Sequence, residues 1–283
     1  MPIQIAIPDT ALSDSTDLRQ KTAKLGQIAR SLAIFRVERI IIYPTKQKYT
    51  QKKDSSLISK ILSYIDTPQY LRFRIFPRSP ALKFAGILPP LRTQSHPLDS
   101  KSSHISEGDL RWGIQIRPGE IDLGLEKPVK HSDSVSEHKA TLFRVVKGYP
   151  SIRLESITRD ETDVYFGFDV LEIDDLIKFL ENSPNTTRIG LTRNGVQYHR
   201  QKDEIVSMCQ NNKSVILVLG GPRFGIRELV ESKDDLKKNI DFWINVIQDQ
   251  GTETIRLEEA LHASLAILSP SLGPFVSKSG FYS

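Results

Sequence analysis

Ser214-Val215-Ile216-Leu217-Val218-Leu219-Gly220-Gly221-Pro222-Arg223-Phe224-Gly225-Ile226 is the stretch that decides the fold. Its first six residues form a nearly unbroken apolar run. A strand without polar alternation is one covered on both faces, as in a parallel sheet between helices. Gly220, Gly221 and Gly225 then let the backbone turn tightly and come close to a ligand. The carboxyl end of a parallel strand is where open α/β sheets bind ligands. Pro222 and the lack of a following Lys-Ser/Thr pair speak against a phosphate-binding P-loop, and the GxGxxG spacing is missing.

Working outward, Ile3 to Ile7 alternates as a strand, and Leu18, Leu25, Ile28, Leu32 and Phe35 recur at helical spacing. Arg39-Ile40-Ile41-Ile42-Tyr43 follows as a second strand, which completes a βαβ unit. A basic loop (Lys46, Lys48, Lys52, Lys53), a helix near 55–65 and a strand over Leu71–Phe76 are expected next. Texture changes in the proline-dense stretch Pro77–Pro97 and the aperiodic Ser95–Ser106, which read as a long loop. Five strand-like pieces then follow: Leu110–Ile116, Glu120–Leu125, Ala140–Val146, Ser151–Thr158 and Val164–Phe168. They suggest a small β-barrel of the oligonucleotide-binding (OB) type. From Leu171 the α/β texture returns, with a helix at 173–181, a strand Thr187–Thr192, a helix near 202–210, the apolar segment Phe242–Ile247 and a helix Leu257–Leu268. The expected organisation is an α/β domain in two parts, 1–78 and 161–283, interrupted by a β-insert at 79–160.

The composition of the 283 residues, 39% hydrophobic and 26% charged, is that of a globular chain able to bury a core. The lone Cys209 excludes an internal disulfide and points to a reducing, cytoplasmic setting. No apolar run approaches the roughly 18 residues of a membrane span, and no basic segment precedes an apolar one at the N-terminus, so neither span nor signal peptide is expected. The six histidines never fall at a ligand spacing, so no metal is expected. Charge is uneven: Lys plus Arg less Asp plus Glu is +8 over 1–78, +2 over 79–160 and −5 over 161–283. A basic face toward the N-terminus suits a polyanion.

Three segments, in order, carry a family resemblance. They are Leu25-Gly26-Gln27-Ile28-Ala29-Arg30-Ser31-Leu32-Ala33-Ile34-Phe35, Leu217 to Ile226, and Asn245-Val246-Ile247-Gln248-Asp249-Gln250-Gly251-Thr252-Glu253-Thr254-Ile255-Arg256-Leu257-Glu258-Glu259-Ala260-Leu261. Alone, each is an ordinary turn or helix. Together they resemble the three motifs of the SPOUT (α/β-knot) RNA methyltransferases. The resemblance extends over nearly the whole chain to the archaeal and eukaryotic subfamily whose knotted domain is interrupted by a small β-barrel.

The resemblance implies a C-terminal deep trefoil knot, S-adenosylmethionine bound bent within it and released as S-adenosylhomocysteine, and a homodimer with each active site at the subunit interface. It implies cofactor contacts at Thr192, Arg193, Gly195, Leu219, Gly220, Gly221, Gly225, Ile226, Asn245, Gln250, Gly251, Thr252, Thr254, Ile255 and Leu261. Arg30 matches an arginine in a Gly-x-x-Ala-Arg context proposed to engage RNA phosphate or assist the nucleophile, with Arg256 and Glu259 beside it as catalytic candidates. A permanently charged arginine is a better phosphate clamp than a base. RNA contacts are expected from Arg36, Lys46, Lys48, Lys52, Lys53 and Arg223, and from Trp112 as the first aromatic of the insert. Where ribose-methylating relatives carry Asn, this chain has Glu259-Ala260-Leu261-His262. That departure favours a base as acceptor, uridine N3 of ribosomal RNA foremost. An assembly protein with the pocket but no catalysis of its own is the alternative.

Overall fold

The computed structural model describes residues 1–46, 51–133, 135–137 and 139–272, with 51–53 described by backbone only. In chain order the elements are β1 (Ile3–Pro8), α1 (Leu18–Ile34), β2 (Val37–Tyr43), α2 (Gln51–Asp66), α3 (Gln69–Ile75), β3 (Leu110–Arg117), β4 (Glu120–Asp122), β5 (Val129–Lys130), β6 (Thr141–Lys147), β7 (Arg153–Ile157), β8 (Asp169–Glu172), α4 (Leu176–Glu181), β9 (Thr186–Gln197), α5 (Tyr198–Asn211), β10 (Ser214–Leu219), α6 (Ile226–Leu229), α7 (Lys233–Lys238), β11 (Phe242–Asn245) and α8 (Leu257–Leu268). They form two compact units. One takes in 1–63, 81–89 and 168–272, and the other takes in 64–80 and 90–167, among the described residues. Where the sequence was divided at 78 and 160, the contacts divide it at 63 and 167, and 81–89 returns to the first unit.

The first unit is built on six strands in the order β11-β9-β10-β1-β2-β8, every neighbouring pair parallel. β1 and β10 lie at its centre, in register at Ile5 and Leu217. Both faces are covered, which is why these strands need no polar side. Ala6, Ile41, Ile216 and Val218 pack with Leu180, Leu229 and Leu236 from α4, α6 and α7. Ile5, Ile7, Ile40 and Leu217, of the opposite parity, are also fully buried. The Tyr43 hydroxyl, buried, donates to the Leu219 carbonyl at 2.6 Å and ties the end of β2 to the end of β10.

Helix α1 begins where Asp17 accepts the Gln20 amide (2.8 Å), an N-cap, and buries Leu25, Ile28 and Leu32. It packs on α8 through an ionic contact. Lys24 Nζ, on a side chain only 4% exposed, donates to both Asp14 oxygens (2.6 and 2.8 Å) and stands 3.1 Å from Glu258 Oε2 at the start of α8. Farther along, Ser31 Oγ lies 3.0 Å from His262 Nδ1, and the His262 ring meets Phe35 edge-on at 5.2 Å.

β9 is longer than the expected Thr187–Thr192. Its pairing with β11 jumps from Gly190↔Trp243 to Val196↔Ile244, so residues 191–195 bulge out of the ladder instead of ending the strand. Gly195 makes this possible. A Cβ there would stand 2.5 Å from the Ile244 carbonyl carbon and 2.7 Å from its Cα and N.

The second unit carries an antiparallel sheet in the order β5-β4-β3-β6-β7. Ile121, Phe143, Val145 and Leu154 belong to one apolar cluster, and Leu142, Ile157 and Phe166 to another, so successive residues of β6 serve opposite faces. Two expected strands are absent. Leu71–Phe76 is a helix, α3, because the Arg72 guanidinium donates back to the carbonyls of Ile65 (3.0 Å) and Thr67 (2.9 Å), folding the segment onto the end of α2. Val164–Phe168 forms no strand because Gly167 takes a left-handed φ of 85° against the Asp66 side chain. The fifth strand of the sheet is the short β5, which the alternation did not signal.

Two substitutions test this packing. Gly195→Ala puts a Cβ against backbone that has no rotamer to yield, and is expected to cost about 1–3 kcal/mol, the usual penalty of overpacking, in chemical denaturation. Lys24→Met leaves two carboxylates without their cation, and is expected to cost roughly 3–5 kcal/mol, as breaking one side of a buried pair does.

Candidate active site

The bulge of β9 at 191–195 and the loops after β10 and β11 come together. After Leu219 the glycine loop is drawn into a ring: the Gly221 amide donates to the Phe224 carbonyl (2.9 Å), and the Gly225 amide donates to Glu228 Oε2 (2.6 Å). A Cβ on Gly220 would fall 3.0 Å from Gly225 Cα and from the Phe224 carbonyl oxygen. Ile226 and Leu229 then anchor α6 in the core. After β11, Asn245 Nδ2 donates to the Arg193 carbonyl (3.1 Å) and Asn245 Oδ1 accepts the Ile247 amide (3.0 Å). Arg193 in turn donates to the Glu253 carbonyl (3.0 Å), and Gln250 Nε2 to the carbonyls of Thr252 (2.9 Å) and Glu253 (3.2 Å). The bulge of β9 and the loop after β11 are thus held together by side chain to main chain bonds.

These loops enclose a cavity of about 380 Å³. That volume suits a nucleoside-sized molecule. Leu219, Ile244, Ile247, Ile255 and Leu257 make its apolar lining, while Asn245, Thr254 and the main chain of the glycine loop supply polar groups. The carboxylate-bearing Glu228 and Glu253 and the guanidinium-bearing Arg193 and Arg223 also line it. From α8, Leu257, Ala260 and Ser264 line it at one-turn spacing, while the intervening Glu258 and His262 contact α1.

Of the residues expected at a cofactor, the cavity gathers Thr192, Arg193, Leu219, Gly220, Gly221, Gly225, Asn245, Gln250, Thr254 and Ile255, together with Arg223. The other five stand behind it or beside it. Gly195 backs the bulge against Ile244, Ile226 and Leu261 are buried, Gly251 and Thr252 are exposed, and Thr252 Oγ1 donates to the Thr254 carbonyl (2.9 Å). The three catalytic candidates do not line the cavity. Arg30 is half-buried on α1 beside Ser31. Arg256 is exposed at the N-cap of α8, and Glu259 accepts its amide (3.0 Å), a carboxylate at the positive end of the helix.

Sequence reading overlooked Phe224, Glu228 and Glu253 as lining groups. Glu228 had a signal: an acid three residues after the turn is the far half of a helix-start motif. Asp9, which does not line the cavity, is a buried carboxylate near this end of the sheet. It stands at the carboxyl end of β1, with the Thr45 hydroxyl on its Oδ1 at 2.8 Å. Burial raises its pKa above the usual carboxylate value, and the Thr45 hydroxyl only partly offsets this.

Among the expected RNA contacts, Arg36 holds the left-handed position (φ 52°) that ends α1. Lys46 Nζ donates to the Glu231 carbonyl (2.6 Å). Lys48 and the side chains of Lys52 and Lys53 lie outside the described residues. Trp112, in the second unit, is half-buried with Phe166 at 6.3 Å and the Arg159 guanidinium 5.0 Å from its ring centre. Among the described residues no three His, Cys, Asp or Glu side chains are grouped to hold a metal, and no helix is long and apolar enough to cross a membrane.

The family described as "Putative RNA methyltransferase" matches residues 2–268. An uncharacterized protein of Halobacterium salinarum is 28% identical over 95% of this chain and 99% of its own length. The 28S rRNA (uridine-N(3))-methyltransferase of Homo sapiens is 27% identical over 95% of this chain and 78% of its own. Among solved structures, the SpoU methyltransferase AviRb of Streptomyces viridochromogenes in complex with AdoMet aligns with 96% of this chain and 57% of its own, at 8% identity and a TM-score of 0.37. The family match runs from β1 to the end of α8, through every loop that builds the cavity, and the chain belongs to this SPOUT-type family of RNA methyltransferases.

Proposed function

We propose that the protein transfers a methyl group from S-adenosylmethionine to N3 of a uridine in ribosomal RNA. The observation that carries this reading is the cavity formed where the bulge of β9 meets the loops after β10 and β11, in a chain of this family. Its acceptor is taken from the relatives named as 28S rRNA (uridine-N(3))-methyltransferases in human, mouse and fly. The residues present fit the cofactor: a glycine ring with main-chain donors and acceptors, an apolar wall for an adenine, and carboxylates for a cationic group.

When bound, S-adenosylmethionine supplies an electrophilic methyl carbon and departs as S-adenosylhomocysteine. Leu219, Ile244 and Ile255 would offer the adenine an apolar wall and keep water from it, main-chain groups of the glycine loop from Gly220 to Gly225 would hold the ribose, and Asn245 with Thr254 would orient the loop beside it. The uridine N3 proton must leave as the new N–C bond forms, so the acceptor face needs positive charge to hold the RNA and its developing imide anion. Arg30, with Arg256, supplies it. Neither lines the cavity of its own chain, and this supports a homodimer in which α1 of one protomer faces the cavity of its partner. Ile34 and Ile267, 50% and 37% exposed on α1 and α8, give that dimer an apolar surface. In this reading the segment from β10 through α8 makes the trefoil knot, the five-stranded sheet acts as an OB-like RNA-binding module, and the buried free thiol of Cys209 suits the cytoplasm.

Calorimetry is expected to show one S-adenosylmethionine site per chain. Gly220→Val, which fills the ring, should weaken it at least tenfold. Absence of binding to the wild type would remove the enzymatic reading. Methyl transfer into ribosomal RNA, with mass spectrometry of the digested nucleosides, should yield 3-methyluridine. Binding without transfer to any RNA would favour the assembly role. Arg30→Ala is expected to lower kcat/KM about a hundredfold, on the scale of losing one electrostatic donor at a transition state, with Arg30→Lys between. Mixing the Arg30→Ala and Gly220→Val chains should restore activity above either alone, because one protomer then supplies an intact cavity and the other an intact arginine.

A further inference from the structure

The β6–β7 hairpin of the second unit has a charge arrangement that changes along its length. Arg144 stands opposite Glu155 in the ladder and pairs with it (3.4 Å). At the next outward pair, beyond a bulge at Val146, Lys147 stands directly opposite Arg153. Both are exposed, and among the described residues neither has an ion pair. Like charges across a ladder repel and destabilise the pair. Glu107, on the segment that backs the hairpin, does not offset them: it lies beside Gly148 but makes no ion pair with either cation.

Between the two cations the connection carries Tyr149, 58% exposed, and the bulged Val146 just before Lys147 is 42% exposed. The backbone under this tyrosine is held. Its amide donates to the Ile105 carbonyl (3.0 Å), Gly108 donates to Val145 (2.8 Å), and a Cβ on Gly148 would fall 2.5 Å from the Ile105 carbonyl oxygen. A fixed backbone, an exposed ring and two unneutralised cations on one hairpin match the chemistry of a single nucleic-acid strand, a π-face for a base and positive charge for the phosphates on either side. Trp112 is poorly placed for that task, since Arg159 lies over its ring and is itself paired with Asp66 (2.9 Å).

We propose that the tip of this hairpin is a binding site for single-stranded RNA, with a base stacked on Tyr149 and its neighbouring phosphates between Lys147 and Arg153. The proposal rests on the RNA-methyltransferase reading and adds the surface that holds the RNA outside the cavity.

The test is fluorescence anisotropy of the full-length protein with a short labelled single-stranded RNA of mixed sequence, over a salt series. Tyr149→Ala is expected to weaken binding by on the order of tenfold, the size of one lost base stack, while Tyr149→Phe stays near the wild type. Lys147→Gln and Arg153→Gln should each lower the slope of log affinity against log salt by about 0.7, the single-strand value per phosphate contact. Thermal stability should not fall in any of them, and Lys147→Gln and Arg153→Gln should if anything raise it by relieving the repulsion, while cofactor affinity stays unchanged. Wild-type affinity and salt slope in these variants, with the wild type still binding and methylating RNA, would overturn the hairpin site alone. So would an equal loss by Tyr149→Ala on a duplex of the same sequence, where no base is free to stack. A wild-type protein that neither binds RNA nor transfers methyl groups would instead take away the reading on which the site rests.

Discussion

The candidate active site depends on one backbone-to-backbone contact, Gly195 against Ile244, where no side-chain carbon can be admitted. Because the two main chains can close there, β11 rejoins β9 beyond residues 191–195. The displaced residues are then pushed toward the cavity, where Thr192 and Arg193 form one wall. The bonds from Asn245 to Arg193 and from Arg193 to Glu253 are possible only in that register. One glycine thus sets the position of a loop more than forty residues away in sequence.

The second requirement is that the platform below the loops not move. A parallel sheet buried on both faces provides this, with Ile5, Ile40 and Leu217 fully buried at its centre. Tyr43 clamps its carboxyl edge where the glycine ring begins, and Lys24 fixes α8 to α1 between Asp14 and Glu258. A buried cation shared by two carboxylates is weak evidence for stability but strong evidence for register, since a helix shifted by one residue would leave charge uncompensated. That register turns Leu257, Ala260 and Ser264 to the cavity and Glu258 and His262 to α1.

The second unit follows a different logic. Its antiparallel sheet leaves edges and hairpin tips in water, and its surface carries the features left unbalanced inside the fold: an exposed Tyr149 and the facing cations Lys147 and Arg153. The first unit gathers its polar groups inward around a cavity, whereas the second presents them outward on a hairpin. These are the two geometries suited to a small molecule and to a flexible strand.

By itself the sequence determined the elements whose pattern is local. Ser214–Leu219 is the strand its apolar run implied, Leu257–Leu268 is the helix its spacing implied, and the glycines after Leu219 form the turn their freedom allows. Most of the expected cofactor residues meet at one cavity because loops at the carboxyl ends of neighbouring parallel strands have to meet. What only the tertiary structure decided depends on partners distant in the chain. Leu71–Phe76 alternates well enough for a strand, yet Arg72 binds carbonyls of the preceding helix and the segment coils. Thr192 to Gly195 has the composition of a turn but is a bulge, because Ile244 pairs on its far side. Trp112 and Tyr149 are both aromatics of the insert, and nothing in their neighbours along the chain says which is covered. Arg159 and Phe166 over one ring, and water over the other, settle that, because exposure is a property of the folded surface and has no period in the sequence.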